Sequence, residues 1–552
     1  MLRSTSMLPE RQAAHEPARL EVGEQTHERM VAVRRLSDLL QKVAQRHPGL
    51  PVLAMWWMHL CHPLRGIQAE LVRDTRLSFR DVSEDAVQLW WQWFVGLARG
   101  IAYGGYLLLG IARLRFMLRR ELRELRSQSF AVVARSCCYG SDWRTDGTDF
   151  YYGNLQVRLA EHGVSTLLLC SNISSEAWRT FARRHTRTSG LCRVPDLALI
   201  SPFAVAAMVG QQIVSALGFA RMARRESDPG IRKVFRLASL EALAPATTMT
   251  GLSVWVGRAA ARLWHPRVVM TLYEGYGWEK CVWYGVNTTD PSCTTVGYQH
   301  TAIFRESLAI IEPASRGAWS VPDVVLGLGP VPLEMIRAGH ARFGTTLIPF
   351  GSFRYQPTTA QHPADLGRRT VLVTPVGHRP EVKTLFAFAS RCAQRLPHYT
   401  FILRCHPEVP MAIAKQLIDV DLTSVPNVVL SNRSIEDDFQ RASVLLYRGS
   451  SSAFYAVLQG LLPIYADIET EMDRDPLFQL ERWRQRCASV EGFVQVLAQH
   501  ERTSEGALTQ EWQAAAQYVK DYTGPVTDDR IEAFLRAVDL RSKQETVSSC
   551  IA

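Results

Sequence analysis

The sequence lacks paired cysteine motifs and long uninterrupted apolar runs. None of its eleven cysteines stands in a CxxC spacing, and such scattered cysteines indicate reduced thiols in a cytosol rather than zinc ligands or a disulfide framework. Residues 1–16 include Arg3 but no apolar core after it, so we expect no secretory signal there. No segment reaches the ~20 clean apolar residues that a membrane span needs.

Motifs for metal and dinucleotide binding are also absent. No DxD motif stands in a suitable loop, and no cluster of His, Cys, Asp and Glu has metal-ligand spacing. The loop that contains Thr374 and Gly377 is far from a GxGxxG fingerprint. We therefore expect neither a metal nor a bound cofactor. A nucleic-acid partner is not expected either, because no known binding module accompanies the net charge of +10.

The composition is that of an ordinary globular protein. Of the 552 residues, 47% are hydrophobic and 21% are charged, which suffices for several cores at about 100–200 residues per domain. Residues 1–125 have a helical pattern of apolar residues, as in the segment 28–45. From Phe130 onward, short β-branched runs, the first of them a predicted strand at 130–134, alternate with helical segments, and this alternation is typical of parallel sheets.

The alternation falls into two series that meet near residues 349–362. We therefore predict the α/β class, with two Rossmann-like domains that face a cleft. The first domain would cover residues 126–348 with a helical insertion at about 202–264, and the second would cover residues 349–540. Residues 541–552 have the composition of a frayed tail.

One segment of the helical N-terminal part supports two interpretations. Residues 89–116 are rich in Trp and Tyr, are interrupted by Arg99 and Arg113, and run into an arginine cluster that ends at Arg126. Such a helix suits the interface of an anionic bilayer, which predicts contact with an inner membrane surface through residues 89–126. It equally suits a helix that packs on the next domain and has a solvated basic end.

Two strands of the second series end in polar residues. The apolar run 443–447 is followed by three serines that open a helix, Ser450, Ser451 and Ser452. The run 400–403 is followed by Arg404 and His406. A strand-to-helix turn offers free backbone N–H groups and a helix dipole, and ligands bind at the carboxyl edge of parallel sheets. We therefore predict a site for a nucleotide phosphate, the alternative for the serines being a plain helix N-cap.

Three further residues of the second half lie beside that edge: Thr374, Gly377 and Asp467. Thr374 and Gly377 belong to the loop after the first strand, which is the expected phosphate side. Asp467 follows the strand at 462–465, where a carboxylate can accept a hydrogen bond from a ribose or sugar hydroxyl. The alternative for Asp467 is a plain loop charge.

The densest motif of the first half runs from Tyr273 to Lys280, directly after the strand at 267–272. Glu274 stands at the carboxyl end of this strand beside a glycine that allows close ligand approach. It can act as a general base on an acceptor hydroxyl, unless it is an exposed loop acid. Glu279 falls in the first helical turn and is either a residue of the acceptor side or a helix-start charge.

The next strand of the first half, at 294–298, is followed by Gln299 and His300. Both can donate to a phosphate or a sugar, and His300 can also serve as acid or base, unless it is a hydrogen-bonded structural residue. Its placement parallel to Glu274 favours a role at the site, because the strand ends of one sheet converge. Asp149, in a Gly- and Asp-rich loop, is a further candidate on the acceptor side.

The order of these motifs resembles that of a known enzyme type. The run from Tyr273 to Lys280, the Gly-Tyr-Gln-His run that ends at His300, His406-Pro407 and the serine triplet look like the bacterial surface-carbohydrate biosynthesis proteins of the GT-B glycosyltransferase type. The acid-Gly, His-Pro and Ser-Ser elements are also similar to those of bacterial sialyltransferases and polysialyltransferases that use CMP-sugars. One departure from their pattern is that Tyr273 stands where a second acid is common.

The resemblance implies an inverting, metal-independent transfer of a sugar from a nucleotide donor, such as a CMP-linked acidic sugar. It implies Glu274 as the base, His406 as a donor beside the phosphate, and the three serines as the phosphate cradle. The acceptor would be a capsule or lipopolysaccharide glycan or another lipid-linked glycan, and the enzyme would be cytoplasmic, free or peripheral on the inner membrane. Two alternatives stay open: a CDP-polyol phosphotransferase of the same fold, and a non-catalytic GT-B scaffold in envelope polysaccharide assembly.

Overall fold

The computed structural model describes most of the chain between residues 86 and 540. The residues outside the description are 1–85, 139–147, 174–175, 186–190, 228, 306, 312–320, 356–359, 361, 378, 407–408, 418–424, 469–472 and 541–552. The helix expected at 28–45 and the expected tail therefore lie outside the described residues.

Seven strands form the first sheet: β1 (Val132–Cys138), β2 (Thr166–Asn172), β3 (Cys192–Pro195), β4 (Val268–Leu272), β5 (Thr294–Tyr298), β6 (Val324–Gly327) and β7 (Thr346–Pro349). Neighbouring strands run parallel in the order β3-β2-β1-β4-β5-β6-β7. Strand β4 is buried at every position. Helices cover both faces of such a sheet, which explains why the strand is a nearly continuous apolar run.

Ten helices of the described residues belong to this half: α1 (Ala86–Met117), α2 (Arg119–Arg126), α3 (Leu155–Glu161), α4 (Trp178–His185), α5 (Pro202–Arg225), α6 (Pro229–Glu241), α7 (Pro245–Trp264), α8 (Gly277–Asn287), α9 (Leu308–Ile311) and α10 (Pro330–Ala341). The expected helical insertion is the group α5, α6 and α7. Each of these three helices begins with a proline, which is well suited to the first helical position because its missing N–H has no partner there anyway.

Helices α7 and α8 pack backbone to backbone through two glycines. A Cβ atom on Gly257 would collide with the carbonyl of Val282, and one on Gly285 would collide with the carbonyl of Val254. This close contact fixes α8 against α7, and the first turn of α8 carries Glu279.

Six strands form the second sheet: β8 (Thr370–Thr374), β9 (Thr400–Leu403), β10 (Val428–Leu430), β11 (Val444–Tyr447), β12 (Leu462–Ala466) and β13 (Gln485–Cys487). They are parallel in the order β10-β9-β8-β11-β12-β13. Both sheets thus contain the strand order of a doubly wound fold. The order reverses between β1 and β4 and between β8 and β11, and a crevice opens at the carboxyl ends of the strands at such points.

Seven helices accompany the second sheet in the described part of the chain: α11 (Arg379–Arg395), α12 (Met411–Leu417), α13 (Ile435–Arg441), α14 (Ser452–Leu458), α15 (Val490–Glu501), α16 (Glu505–Tyr522) and α17 (Asp528–Ala537). The last of them returns to the first sheet. Ile531 and Phe534 of α17 lie in one buried cluster with Val132 and Tyr152. Residues 528–537 therefore pack with the first domain, although chain order assigns them to the second.

The two halves also share buried contacts. Ala302 and Leu328 of the first half lie in the same apolar cluster as Leu372 and Tyr447 of the second. The hydroxyl of Tyr522 accepts a hydrogen bond of 2.8 Å from the backbone N–H of Ile303. The loops that follow β5 and β6 are thus packed directly on the second half.

The predicted α/β class, with two Rossmann-like domains and a helical N-terminal segment, is confirmed by these two sheets. The first strand differs from the sequence expectation of 130–134, because β1 continues through Arg135 and Ser136 to Cys138. A buried arginine is compatible with this strand because Arg135 pairs with Asp196 at 2.7 Å. The short strands β3 and β13 were not predicted.

Candidate functional site

The carboxyl edge of the first sheet brings Glu274 and His300 together. Glu274 follows β4 and His300 follows the adjacent β5, and Oε1 of Glu274 lies 3.0 Å from Nε2 of His300. The side chain of His300 is 1% exposed and that of Glu274 is 28% exposed. The carboxylate therefore forms the accessible part of the pair, and the imidazole lies behind it.

The imidazole of His300 is held on two further sides. Its Nδ1 lies 3.3 Å from the carbonyl oxygen of Tyr298, and the ring of Tyr151 meets it edge to face at 4.6 Å between centroids. A neutral imidazole has a single N–H group. In the tautomer that donates from Nδ1 to the carbonyl of Tyr298, Nε2 carries no proton and faces Glu274 as a proton acceptor. Nε2 lies at ion-pair distance from the Glu274 carboxylate, but the two groups lack hydrogen-bond geometry.

Glu279 shapes the turn that carries Glu274. Its buried carboxylate accepts hydrogen bonds from the backbone N–H groups of Glu274, Gly275 and Tyr276, at 3.0, 2.9 and 3.0 Å. Gly275 has a φ of +88°, which a glycine adopts without strain. Burial raises the pKa of Glu279 well above its usual value and the charge of Glu274 adds to this, while the backbone N–H groups oppose it. The contacts of Glu279 are those of a support rather than of a ligand-facing group.

Lys280 lies buried directly behind this turn. Within the described residues its Nζ has no hydrogen-bond partner, and burial lowers the pKa of Lys280 to about 8. Burial also lowers the pKa of the nearby His340 to about 4. Nε2 of His340 lies 2.8 Å from the hydroxyl of Tyr273. The first edge therefore rests on a buried cation that is not compensated by a hydrogen bond.

Asp149 lies beside β1 and organises the loop next to His300. Its Oδ1 accepts hydrogen bonds from the hydroxyl of Ser136 at 2.9 Å and from the backbone N–H groups of Tyr151 and Tyr152 at 2.9 and 2.8 Å. These bonds fix the residue whose ring packs on His300. In the structure Asp149 acts on the edge through Tyr151.

Gln299 is buried between β5 and β6. Its side-chain oxygen accepts a hydrogen bond of 3.0 Å from the backbone N–H of Leu328, and its amide nitrogen donates to the carbonyl of Thr301. Both ends of the amide are therefore used to tie the loops of neighbouring strands together.

The carboxyl edge of the second sheet carries a cluster of hydroxyl groups. Oγ of Ser452 lies 2.9 Å from Oγ1 of Thr374 and 2.8 Å from Oγ of Ser450. Thr374 ends β8 and the serines follow β11, so the cluster lies where the strand order reverses. Gly449, between β11 and Ser450, has a φ of +68°. Ser451 is exposed at the tip of the turn. Three hydroxyl groups and a helix start thus converge at the expected ligand crevice.

Glu381 supports this second edge as Glu279 supports the first. Its buried carboxylate accepts a hydrogen bond of 2.8 Å from the backbone N–H of Val376, in the loop that contains Gly377. Nη1 of Arg474 lies 3.8 Å from the same carboxylate. Arg474 also lies beside the serine turn, because a Cβ atom added to Gly449 would be 3.5 Å from the Cβ atom of Arg474. The stem of Arg474 therefore lies beside Gly449, and its guanidinium is paired with Glu381.

The other candidates of the second half flank the cluster. Nη1 of Arg404 donates to Asp438 of α13 at 2.9 Å, and Oδ2 of Asp467 pairs with Arg486 at 2.9 Å. His406 follows β9 and is half-buried. The charges of Arg404 and Asp467 are thus balanced by protein partners.

Arg354, in the linker between the sheets, touches both edges. Its guanidinium donates to the carbonyl of His300 at 3.1 Å and lies 5.5 Å from the ring centroid of Tyr151. Its own carbonyl accepts a hydrogen bond of 3.1 Å from the hydroxyl of Tyr455, on the helix that the serines begin. The linker therefore joins the turn of the serines to the loop of His300.

Four of these residues were missed by sequence analysis: Tyr151, Arg354, Glu381 and Arg474. Glu381 had a usable signal, because it is the first-turn acid after a strand-end loop, as Glu279 is. The other three meet the edges through long-range contacts for which the sequence has no local pattern. Within the described residues no three His, Cys, Asp or Glu side chains are grouped closely enough to hold a metal ion.

No protein-family model and no curated protein matches the chain. Among solved structures, the glycotransferase of kitacinnamycin is 12% identical, with a TM-score of 0.42 over 75% of this chain and 98% of that chain. The UDP-forming α,α-trehalose-phosphate synthase of Burkholderia vietnamiensis is 10% identical, with a TM-score of 0.43 over 75% of this chain and 100% of that chain. MurG of Acinetobacter baumannii is 10% identical, with a TM-score of 0.37 over 75% of this chain and 99% of that chain. At such scores the fold assignment rests on the sheet topology of this chain itself.

Proposed function

We propose that the protein is a GT-B glycosyltransferase that transfers a sugar from a nucleotide donor to a glycan or glycolipid acceptor. The observation that carries the proposal is the pair of unlike sheet edges. One edge has Glu274 and His300 at 3.0 Å, and the other has the hydroxyl cluster of Thr374, Ser450 and Ser452 at a helix start. A base and an anion site on two doubly wound sheets are the two parts that such a transfer needs.

On the first edge, Glu274 takes the proton of the acceptor hydroxyl as that oxygen attacks the anomeric carbon. Glu274 is the accessible member of the pair, so it meets the acceptor, and Nε2 of His300 lies 3.0 Å from its carboxylate. Attack from the side opposite the leaving phosphate inverts the anomeric centre. Glu279, Asp149 and Gln299 act on this step by holding the loops that position the pair.

On the second edge, the bond between the anomeric carbon and the phosphate oxygen breaks, and the electron pair leaves with the phosphate. Hydroxyl donors at the serine turn stabilise the growing negative charge. We assign His406 to the same phosphate side. This scheme includes no metal and assigns the stabilisation of the phosphate to the hydroxyl donors and His406.

For the donor we propose a CMP-linked acidic sugar, and for the acceptor a bacterial surface polysaccharide or lipid-linked glycan on the cytoplasmic side of a membrane. The support for this finer assignment is the acid-Gly, His-Pro and Ser-Ser order of the motifs. Asp467 would accept from a hydroxyl of the donor, after exchange of its contact with Arg486.

The test is a thermal-shift comparison of CMP, CDP and UDP, followed by assays with the corresponding sugar donors. A nucleotide at about 100 times its dissociation constant should add roughly 2.7 kcal/mol to the free energy of unfolding. CMP is expected to give the largest shift, and a CMP-sugar should be turned over. Transfer of a polyol phosphate from a CDP donor, or binding without any turnover, would replace the proposal with the phosphotransferase or the scaffold. No shift with any nucleotide would contradict it.

A further inference from the structure

Helix α1 is docked on the protein along one face. The docked face has Gly100, Gly104, Leu107 and Ile111 at helical spacing, all of them buried. A Cβ atom on Gly100 would lie 2.7 Å from the carbonyl oxygen of Leu243, so the helix packs too closely there for a larger residue. This face belongs to the core of the first half, as one of the two sequence interpretations expected.

The opposite face of α1 is apolar and exposed over its whole length. At helical spacing it presents Val87, Trp91, Phe94, Ile101, Leu109 and Phe116, all of which are at least half exposed. The helix contains no Asp or Glu, and its 32 residues extend about 48 Å. Soluble monomers rarely expose so long an apolar strip, which marks it as an interaction surface.

Helix α5 runs antiparallel beside α1 and extends this surface. Arg115 near the end of α1 donates to the carbonyl of Ile200 at 2.9 Å, just before α5 begins. At the other end, the guanidinium carbon of Arg224 lies 5.8 Å from the ring centroid of Trp90. Between these points α5 exposes Phe203 by 84%, with Val214 and Leu217 further along the same strip. Helix α5 contains no acidic residue either.

Arginines stand at both ends of the combined surface. Because the helices are antiparallel, the arginines after α1 and those at the end of α5 lie at opposite ends of the surface, and all are exposed. The first set is Arg119, Arg120 and Arg123, and the second is Arg221, Arg224 and Arg225. Helix α2 also carries Glu121 and Glu124, and Arg120 pairs with Glu124 at 3.0 Å, but the arginines remain in excess at this end. An apolar strip with aromatic residues, no acids of its own and basic ends is complementary to an anionic lipid surface.

Both helices are long and apolar enough to cross a membrane by length and composition alone. The docked face of α1 favours contact in the plane of the membrane instead, because a crossing would draw the packed domain with it. We propose that α1 and α5 together form one surface that lies in the plane of an anionic phospholipid bilayer. The apolar side chains would enter the acyl boundary and the arginines would lie among the headgroups.

Three contacts connect this surface to the first edge. Arg115 holds the chain just after the short 3-10 turn that Asp196 begins. Asp196 pairs with Arg135 at 2.7 Å, and the guanidinium carbon of Arg135 lies 4.7 Å from the ring centroid of Trp278, next to the turn of Glu274. If the proposed function holds, the surface would present the base to a lipid-linked acceptor. Lipid binding itself does not depend on that function.

The test is sedimentation of the full-length protein with vesicles of phosphatidylglycerol and phosphatidylcholine, compared with vesicles of phosphatidylcholine alone. Binding should require the anionic lipid and weaken at high salt. Leu109→Glu on α1 and Val214→Glu on α5 should each weaken binding by about tenfold or more, because a charge enters the apolar strip. Val429→Glu is the matched control, since Val429 is 39% exposed on β10 of the second sheet.

A second variant avoids placing a charge in the strip. Replacing Arg224 and Arg225 with Gln should weaken binding by roughly fivefold per arginine and leave the fold intact, as checked by thermal melting. Absence of binding to anionic vesicles, or full binding by the α5 variants, would overturn the proposal. Self-association that is lost in the same variants, without vesicle binding, would assign the surface to a second copy of the chain. Nucleotide-induced melting shifts should be unchanged in all variants, which separates this test from that of the proposed function.

Discussion

The two sheet edges are built alike and carry different chemical groups. In each, a buried glutamate in the first turn of a helix accepts hydrogen bonds from the backbone of the loop after a strand. Glu279 accepts three such bonds, and Glu381 accepts one from Val376. The first edge presents a carboxylate and an imidazole, whereas the second presents hydroxyl groups. The doubly wound fold thus supplies the support twice, and the residues on the loops decide which step each edge serves.

The edges also differ in the charge behind them. Glu279 is followed by the buried Lys280, which has no hydrogen-bond partner within the described residues, and Glu381 is followed by the buried Val382. Burial of this cation without a hydrogen bond costs free energy, which the charge of Glu279 partly offsets. Proteins retain such a cost mainly where function needs it.

The largest expected effect separates the edges by activity. Glu274→Gln keeps the size of the side chain but cannot take a proton at neutral pH, so turnover should fall by about 10²–10⁴-fold. Nucleotide affinity, which belongs to the second edge, should stay within a few-fold. Steady-state kinetics with the identified donor measure the first quantity, and calorimetry measures the second.

His300→Ala is the internal comparison for this prediction, because Nε2 of His300 lies 3.0 Å from the same carboxylate. A smaller loss of turnover than in Glu274→Gln is expected. Near-normal turnover of Glu274→Gln beside an inactive His300→Ala would transfer the role of base to His300.

The next effect concerns stability and pH. The pKa of Lys280 is lowered from 10.5 to about 8 by burial. As pH falls through this window, the unfolded chain binds the proton more readily than the folded chain, so the free energy of unfolding falls and stays lower below pH 8. Lys280→Met should therefore raise the free energy of unfolding at pH 7 by up to about 3 kcal/mol. The gain should disappear above about pH 10.5, as measured by denaturant unfolding.

Val382→Met is the control for Lys280→Met, because Val382 holds the corresponding place behind the second edge. It should lower the free energy of unfolding by about 1–3 kcal/mol, because the larger side chain overpacks a fully buried site. This loss should not depend on pH between 8 and 10.5. A destabilised Lys280→Met protein at pH 7 would mean that the cation is compensated and that the two supports do not differ in this way.

The smallest effect concerns the contact between the edges. Tyr455→Phe removes the hydrogen bond from the Tyr455 hydroxyl to the carbonyl of Arg354. The free energy of unfolding should fall by about 0.5–1.5 kcal/mol, the usual loss for one hydrogen bond. Tyr518→Phe is the control, since its hydroxyl donates to Gln479 in an exposed contact away from the linker. An equal or larger loss in Tyr518→Phe would show that the linker contact contributes nothing of its own.

Sequence patterns were sufficient for the strands and for the loops that carry the site. The strands at 294–298 and 400–403 have the predicted bounds, because buried parallel strands are short apolar runs with turn residues on both sides. The placement of Glu274 and His300 at adjacent strand ends followed from the same pattern. The pattern predicted that Glu274 and His300 converge, and in the structure their side chains lie 3.0 Å apart.

The contacts between distant segments could not be predicted. Arg354 bonds to His300, 54 positions earlier in the chain, and Arg135 pairs with Asp196 across the first sheet. Such pairs depend on the packed fold, for which a single sequence has no periodic signal. The sequence also could not decide whether residues 89–116 pack on the domain or face a membrane. In the structure, this helix has one docked face and one exposed face.

The central claim is that the hydroxyl edge binds the nucleotide phosphate while the acid edge does not. The most direct test is calorimetric titration of the preferred nucleotide into three proteins: wild type, Glu274→Gln, and the variant with Ser451 and Ser452 replaced by Ala. We expect the affinity to fall by about 10–100-fold in the serine variant, as for lost hydrogen bonds to a charged group, with a smaller loss in His406→Ala. The affinity of Glu274→Gln should match wild type. Unchanged affinity in the serine variant, or a large loss in Glu274→Gln, would contradict the division of roles between the two edges.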